Sequence, residues 1–166
     1  MGDIIVRPAR PGDRAAWEPL WQGYLTFYKA SLAAEVTDTT WQRFLDPAEP
    51  MFVRGAFENG KLLGIVQCVL HRTSWSPKPI CYLQDLFTVP EARGKGVGKA
   101  LVGVMELLAR QRGAEMLTVD ASEVACEFFV HLGYEKQARN TVMRAGEWLA
   151  NTTMTKNLPP APKANA

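Results

Sequence analysis

Tyr82-Leu83-Gln84-Asp85-Leu86-Phe87-Thr88-Val89-Pro90-Glu91-Ala92-Arg93-Gly94-Lys95-Gly96-Val97-Gly98-Lys99-Ala100-Leu101 is the stretch on which the reading of this chain turns. A strand-like run stops at Pro90, and three alternating glycines then open a helical pattern. Backbone N–H groups at a helix start have no intrahelical partner, and glycines keep Cβ atoms away from them. The turn therefore predicts a cradle for phosphate oxygens, reinforced by the positive end of the helix dipole. Arg93, Lys95 and Lys99 add charge at the same place. Other phosphate loops fit worse. A Walker A loop needs G-x-x-x-x-G-K-[ST], but Arg93 stands five before Gly98 and Ala100 replaces the hydroxyl. The dinucleotide fingerprint G-x-G-x-x-G fails on the G-x-G-x-G spacing of Gly94, Gly96 and Gly98.

Downstream of the loop, Ala92 to Arg112 reads as a helix with Val97, Leu101, Val104, Met105 and Leu108 on its buried face and Gly113 as its cap. Glu115 to Asp120 is the next strand, Ser122 the N-cap of a helix from Glu123 to Leu132, and Gly133 its close. Tyr134 to Leu158 forms a closing hairpin with Ala145-Gly146-Glu147 at its turn. The Pro/Ala-rich tail, residues 159–166, is expected to be disordered, leaving residues 1–158 as one domain.

Upstream, Asn59-Gly60 between two apolar runs, Met51 to Phe57 and Lys61 to Leu70, is a strong hairpin signal, because a type I′ turn needs positive φ at both central residues. Arg72 to Pro79 reads as a loop, and Ile80 to Val89 as the strand it releases. Before the hairpin, Asp3 to Pro8 is a short β-branched run stopped by Pro8. Trp17, Leu20, Trp21, Tyr24 and Tyr28 recur at helical spacing, with Pro19 expected to kink or break that helix. A second helix is predicted from near Thr39 to Leu45. Antiparallel strands followed by strand-helix-strand-helix predict a mixed α/β sheet.

Composition bounds the function. The 166 residues carry 19 Lys+Arg against 17 Asp+Glu, a net charge of +2, too near balance for a chain whose partner is bulk nucleic acid or an anionic membrane. Cys68, Cys81 and Cys126 form no C-x-x-C, and His71 and His131 stand alone, so neither a disulfide framework nor a metal site is written here. The start Met1-Gly2-Asp3 lacks the basic flank of a signal peptide, and no apolar run is long enough to span a bilayer. The expectation is a cytoplasmic protein with no metal.

The segment Arg93-Gly94-Lys95-Gly96-Val97-Gly98 matches [QR]-x-x-G-x-[GA], and with it the chain resembles the GNAT superfamily of N-acetyltransferases. The resemblance extends over nearly all of residues 3 to 158 in element order. It implies the GNAT fold, a mostly antiparallel sheet with splayed strands around the glycine helix, and an acyltransferase that uses acetyl-CoA as cosubstrate. By that likeness Leu86, Phe87, Thr88 and Val89 hold pantetheine, Arg93 and Gly94 to Lys99 the pyrophosphate, and the Val89 N–H polarises the acetyl carbonyl. Tyr82-Leu83-Gln84-Asp85 resembles the small-amine and polyamine branch, which commonly reads Y-L-E-D here. Its first two helices wall the acceptor site, which makes Tyr24, Tyr28 and Gln84 candidate substrate contacts.

Two departures stand out. Gln84 replaces the glutamate credited with drawing a proton off the amine, and glutamine is no base. Asp85 is the next carboxylate, although strand alternation sets it on the opposite face from Gln84. The family pattern N-x-x-A-x-x-F-Y-x-x-x-G-[FY] lands on Ser122, Ala125, Phe128, Phe129, Gly133 and Tyr134. Ser122 and Phe129 thus face the cosubstrate, and phenylalanine stands where a tyrosine is proposed to protonate the thiolate. Tyr134, Cys126 or water remain as substitutes. Lys136, Arg139 and Arg144 read as a solvated strand face. The function implied is transfer of acetyl to a primary amine of a small molecule by direct attack in a ternary complex. A protein N-terminal or lysine acetyltransferase and a non-catalytic acyl-CoA sensor are the alternatives, with a homodimer left open.

Overall fold

The computed structural model describes residues 2–144 and 146–160. Its strands are β1 (Ile5–Pro8), β2 (Met51–Glu58), β3 (Lys61–Thr73), β4 (Ser76–Thr88), β5 (Met116–Ser122), β6 (Glu135–Arg144) and β7 (Glu147–Asn157). Its helices are α1 (Arg14–Phe27), α2 (Ala34–Leu45), α3 (Val97–Gln111) and α4 (Glu123–His131). The strands form one mixed sheet in the order β1-β2-β3-β4-β5-β7-β6, with β4 and β5 parallel and the other neighbouring pairs antiparallel. Asn59 and Gly60 turn β2 into β3 at φ 49° and 80°, the left-handed pair the hairpin requires. Among the described residues no helix is long and apolar enough to cross a membrane.

Each sheet face buries its own cluster. On one, Val97, Leu101, Val102 and Met105 of α3 and Cys126 and Phe129 of α4 pack over Val66, Cys68, Cys81, Leu83, Leu117 and Val119. On the other, Trp17, Leu20, Trp21 and Leu25 of α1 and Trp41 of α2 cover Val53, Phe57, Leu62 and Ile65. Side chains of this size each contribute on the order of 1.5–3 kcal/mol when fully buried, so the two layers fix the sheet from both sides.

Two irregularities in β4 shape the site. Its parallel pairing with β5 covers only Ile80 to Leu83 against Met116 to Val119, after which the two strands part. Its pairing with β3 runs Leu83 to Cys68 and then Asp85 to Gln67, leaving Gln84 as an extra residue in a β-bulge. The bulge changes which residues share a face. Leu83 and Leu86 both turn to the α3 side, while Asp85 and Phe87 turn to the α1 side.

The structure corrects several boundaries. α3 begins at Val97, not Ala92. Pro90–Ala92 is a separate 3-10 turn, because Gly94 and Gly96 at φ 72° and 83° cannot continue a helix. α2 starts at Ala34, since its first residues, Ala34 to Val36, are exposed and carry no apolar period. β3 and β4 run through most of the expected loop and turn at Ser74 and Trp75. Pro77 and Pro79 are tolerated there because β5 does not pair with β4 before Ile80. α1 is continuous through Pro19, whose exposed position lets water satisfy the carbonyl it leaves free. Residues 161–166 of the tail and Ala145 of the last turn lie outside the described residues.

Candidate active site

Where β4 and β5 part, a cavity of about 760 Å³ opens between the start of α3 and the end of α1. Of the residues singled out in the sequence, it brings together Tyr24, Tyr28, Gln84, Leu86, Phe87, Thr88, Arg93, Gly94, Gly96, Val97, Gly98, Lys99, Ser122 and Phe129. Asp85, Val89, Lys95 and Tyr134 do not line it.

At the α3 end, the first intrahelical bond runs from the Ala100 N–H to the Gly96 carbonyl at 3.0 Å. The N–H groups of Val97, Gly98 and Lys99 are therefore without helical partners. A Cβ at Gly94 or Gly96 would meet no protein atom within 4 Å, so the positive φ is what requires glycine there. At Gly98 a Cβ would press the Phe128 ring at 3.2 Å. Arg93 lies over the Phe87 ring and donates through Nε to the Thr88 carbonyl at 3.1 Å.

The unpaired edge of β4 assigns its amides differently from the expectation. The Val89 N–H donates to the Leu63 carbonyl at 2.9 Å and is spent within the sheet. In an antiparallel ladder successive residues turn their N–H and C=O to opposite sides, so Leu86 and Thr88 present theirs to the parted side. The Thr88 carbonyl, reached by Arg93, agrees with this. The amide that can polarise a carbonyl in the cavity thus belongs to Leu86 or Thr88.

Phe129 and Ser122 reach the cavity from α4 and its N-cap, and the Ser122 hydroxyl makes no capping bond. Tyr134 packs edge-on against Phe129 at 5.1 Å, behind it as seen from the cavity, with its hydroxyl buried and unpartnered. Burial and then Glu106 push that phenol up. Cys126 is buried, its thiol 4.0 Å from the Ala121 carbonyl. Neither stands where an acid for a leaving group in the cavity would have to stand.

At the α1 end the aromatic stripe divides. Trp17 and Trp21 are core, whereas Tyr24, Phe27 and Tyr28 wall the cavity, with Tyr24 stacked on Trp21 at 5.6 Å and tilted on Tyr28 at 4.9 Å. Bulged Gln84 is exposed and lines the wall. Asp85 lies inside the α1 layer, where it accepts from Gln67 Nε2 at 2.8 Å while Gln67 Oε1 accepts from Trp17 Nε1 at 2.8 Å. Burial pushes the Asp85 carboxyl up, and bonds from Gln67 and Tyr24 offset part of this. The Tyr24 phenol is pushed up by burial and then by Asp85, and its hydroxyl lies 3.4 Å from the Gln84 carbonyl.

The carboxylate that does line the cavity is one the sequence reading passed over. Asp120, on the exposed face of β5, accepts from Tyr82 Oη at 2.8 Å and from Thr153 Oγ1 at 2.6 Å. The signal was present in the alternation of β5, where Leu117, Val119 and Ala121 are buried and Thr118 and Asp120 face away. Asn140 of β6 donates to Thr153 and Asn151, extending this polar network from Asp120 beyond the cavity lining. Above it the β6–β7 hairpin is tied to the end of α1 by Lys29 Nζ and Glu147 at 2.7 Å.

Residues 16–134 match the acetyltransferase (GNAT) family model. The chain belongs to that family. It is 38% identical over 101 residues to the D-amino-acid N-acetyltransferase of Saccharomyces cerevisiae, covering 60% of this chain and 63% of that enzyme, so it spans somewhat less than two thirds of that relative. It is 33% identical to the N-acetyltransferase YhfO of Bacillus subtilis, over 79% of this chain and 89% of the relative. Among solved structures, a GCN5-related N-acetyltransferase from Rhodopseudomonas palustris is 33% identical with a TM-score of 0.68, covering 95% of this chain and 98% of its own.

Proposed function

We propose that the chain moves the acetyl group of acetyl-CoA to the primary amine of a small molecule. The observation that carries this reading is a continuous cavity with a phosphate cradle at one end and a buttressed carboxylate, Asp120, at the other. The residues fit acetyl-CoA. The free N–H groups at the start of α3, with Arg93 and Lys99, take the pyrophosphate, and the outward Leu86 carbonyl and Thr88 N–H pair with the pantetheine arm as an added strand. Phe129 and Ser122 close that side. Bound there, acetyl-CoA supplies an acetyl group activated as a thioester.

The Leu86 N–H polarises the acetyl carbonyl. Asp120 receives the ammonium of the acceptor and takes up its proton, because an alkyl ammonium near pKa ~10 must lose a proton before it can attack. The new C–N bond forms as the C–S bond breaks, and the second proton shed by the nitrogen as it becomes an amide passes to the thiolate once it has left. The thiol has a pKa near ~8.5 and leaves as thiolate without an acid, which suits phenylalanine at position 129. Asp85 is a positioning residue, holding Gln67 and Tyr24 rather than touching the amine. The yeast relative, by name a D-amino-acid N-acetyltransferase, is an enzyme for a small primary amine and supports this acceptor class.

Steady-state release of free thiol from acetyl-CoA, with a panel of small amines, tests the reading. Turnover is expected with small amines, and Asp120→Asn should lower kcat/KM by about 10²-fold or more while leaving the Kd for CoA unchanged. CoA binding without thiol release for any acceptor would leave an acyl-CoA sensor. Turnover confined to peptides would leave a protein acetyltransferase.

A further inference from the structure

The hairpin of β6 and β7 carries a cation that the acetyl-transfer chemistry does not use. Asn140, Val142 and Arg144 alternate onto one face of β6. Asn140 is bonded there to Thr153, which in turn bonds the cavity-lining Asp120, so this face continues outward from the cavity wall and Arg144 stands on it at the hairpin end. Its guanidinium carbon lies 5.7 Å from the ring centroid of Tyr28, which walls the cavity. Glu147, directly opposite Arg144 in the β6–β7 register, is engaged by Lys29. Among the described residues, no carboxylate forms an ion pair with Arg144. The acceptor end thus has a carboxylate, Asp120, in its floor and an uncommitted guanidinium at its rim.

We propose that Arg144 binds a carboxylate of the acceptor, so that the substrate class is a small zwitterion of the amino-acid type, its ammonium on Asp120 and its carboxylate on Arg144. This rests on the acetyl-transfer reading above. A guanidinium presents paired N–H donors that match a carboxylate, and its cation–π contact with Tyr28 holds it at the rim before the substrate arrives. The field of Arg144 reaches into the site, where it lowers the pKa of Asp85, Tyr24 and Tyr82 against the burial that raises them. An amine without an anionic group would leave this cation unanswered.

The test compares an amino acid with the amine obtained by removing its carboxylate, in wild type, Arg144→Ala and Arg144→Lys, by thiol release and thermal melting. Wild type is expected to prefer the amino acid by about tenfold to a hundredfold in kcat/KM, the range of a charge-assisted hydrogen-bonded pair. Arg144→Ala should reduce the preference to within about threefold, chiefly through KM for the amino acid, and Arg144→Lys should restore part of it. Equal use of both compounds by wild type overturns the proposal and leaves the acetyl-transfer reading intact. An equal fall with both compounds in Arg144→Ala, alongside a lower Tm, makes Arg144 a hairpin anchor only and also overturns it. No thiol release from any amine overturns both readings.

Discussion

Gly96 and Gly113 occupy nearly the same backbone conformation, φ 83° and 86°, and a methyl group at either would meet no protein atom within 4 Å. Both flank α3, one before its first turn and one after its last, but only Gly96 lines the cavity. Replacing each with alanine therefore imposes the same local strain, about 1–2 kcal/mol for a left-handed L-residue. In a domain of this size that lowers Tm by about 2–8 °C. The two variants should melt alike. Their affinities for CoA should not. Relief of the strain at Gly96 rotates the peptide leading into Val97 and turns the free N–H groups of the helix start away from the pyrophosphate, and a methyl group also enters the space the phosphate would fill. A loss of tenfold or more, about 1.4 kcal/mol, is expected for Gly96→Ala, against less than twofold for Gly113→Ala. Titration calorimetry with CoA, beside thermal melts, reads both. Equal CoA affinity in the two variants would refute the assignment of the phosphate cradle to this loop, because the strain common to both would then account for everything seen.

Phe129→Tyr is expected to leave kcat level or raise it a few fold with KM for acetyl-CoA unchanged, since an added acid acts in the transition state, and steady-state thiol release checks this. A large fall would mean that the ring packed between Phe128 and Tyr134 has no room for a hydroxyl. Asp85 has a folded-state pKa raised above its unfolded value by burial, so the native state binds the extra proton and stability falls as pH rises from about 4 through the raised pKa. Asp85→Asn should flatten that decline in urea unfolding measured between pH 4 and 8, and an unchanged slope would contradict it. Gly23→Ala places a methyl 2.7 Å from Phe87 Cζ, and should cost about 1–3 kcal/mol in denaturant unfolding while raising KM for acetyl-CoA, as Phe87 is pushed toward the cavity.

The glycine loop of the candidate site was legible in the sequence because it depends on backbone freedom, and glycines announce backbone freedom. Arg93-Gly94-Lys95-Gly96-Val97-Gly98 places its amides with no knowledge of any distant residue. Val89 was misassigned because its neighbour across β3, Leu63, is fixed by pairing register rather than by local pattern. Tyr134 was misassigned because the turn after α4 carries it behind Phe129. The acceptor half depended on long-range placement. Asp120 is made a site residue by Tyr82 and Thr153, 38 and 33 positions away, and Arg144 by Tyr28. Face parity was legible for β5 but not for β4, where alternation alone gives no warning of the bulge.

That bulge has a consequence for how the chain tolerates length changes. An extra residue in a strand acts as a phase shift of half a period. Deleting residue 84 would cancel that shift: Leu83 and Asp85 would follow one another opposite the adjacent Cys68 and Gln67 in a regular ladder, and Asp85, Leu86 and Phe87 would keep their faces. The inward and outward amides beyond it would be kept as well, with the Val89 N–H still directed to Leu63. Substitution at this position alters one wall of the cavity, whereas its deletion removes that wall residue together with the local kink and leaves the strand in phase as far as Pro90. Position 84 is thus slack in β4, a place where a residue can be lost without turning its neighbours over.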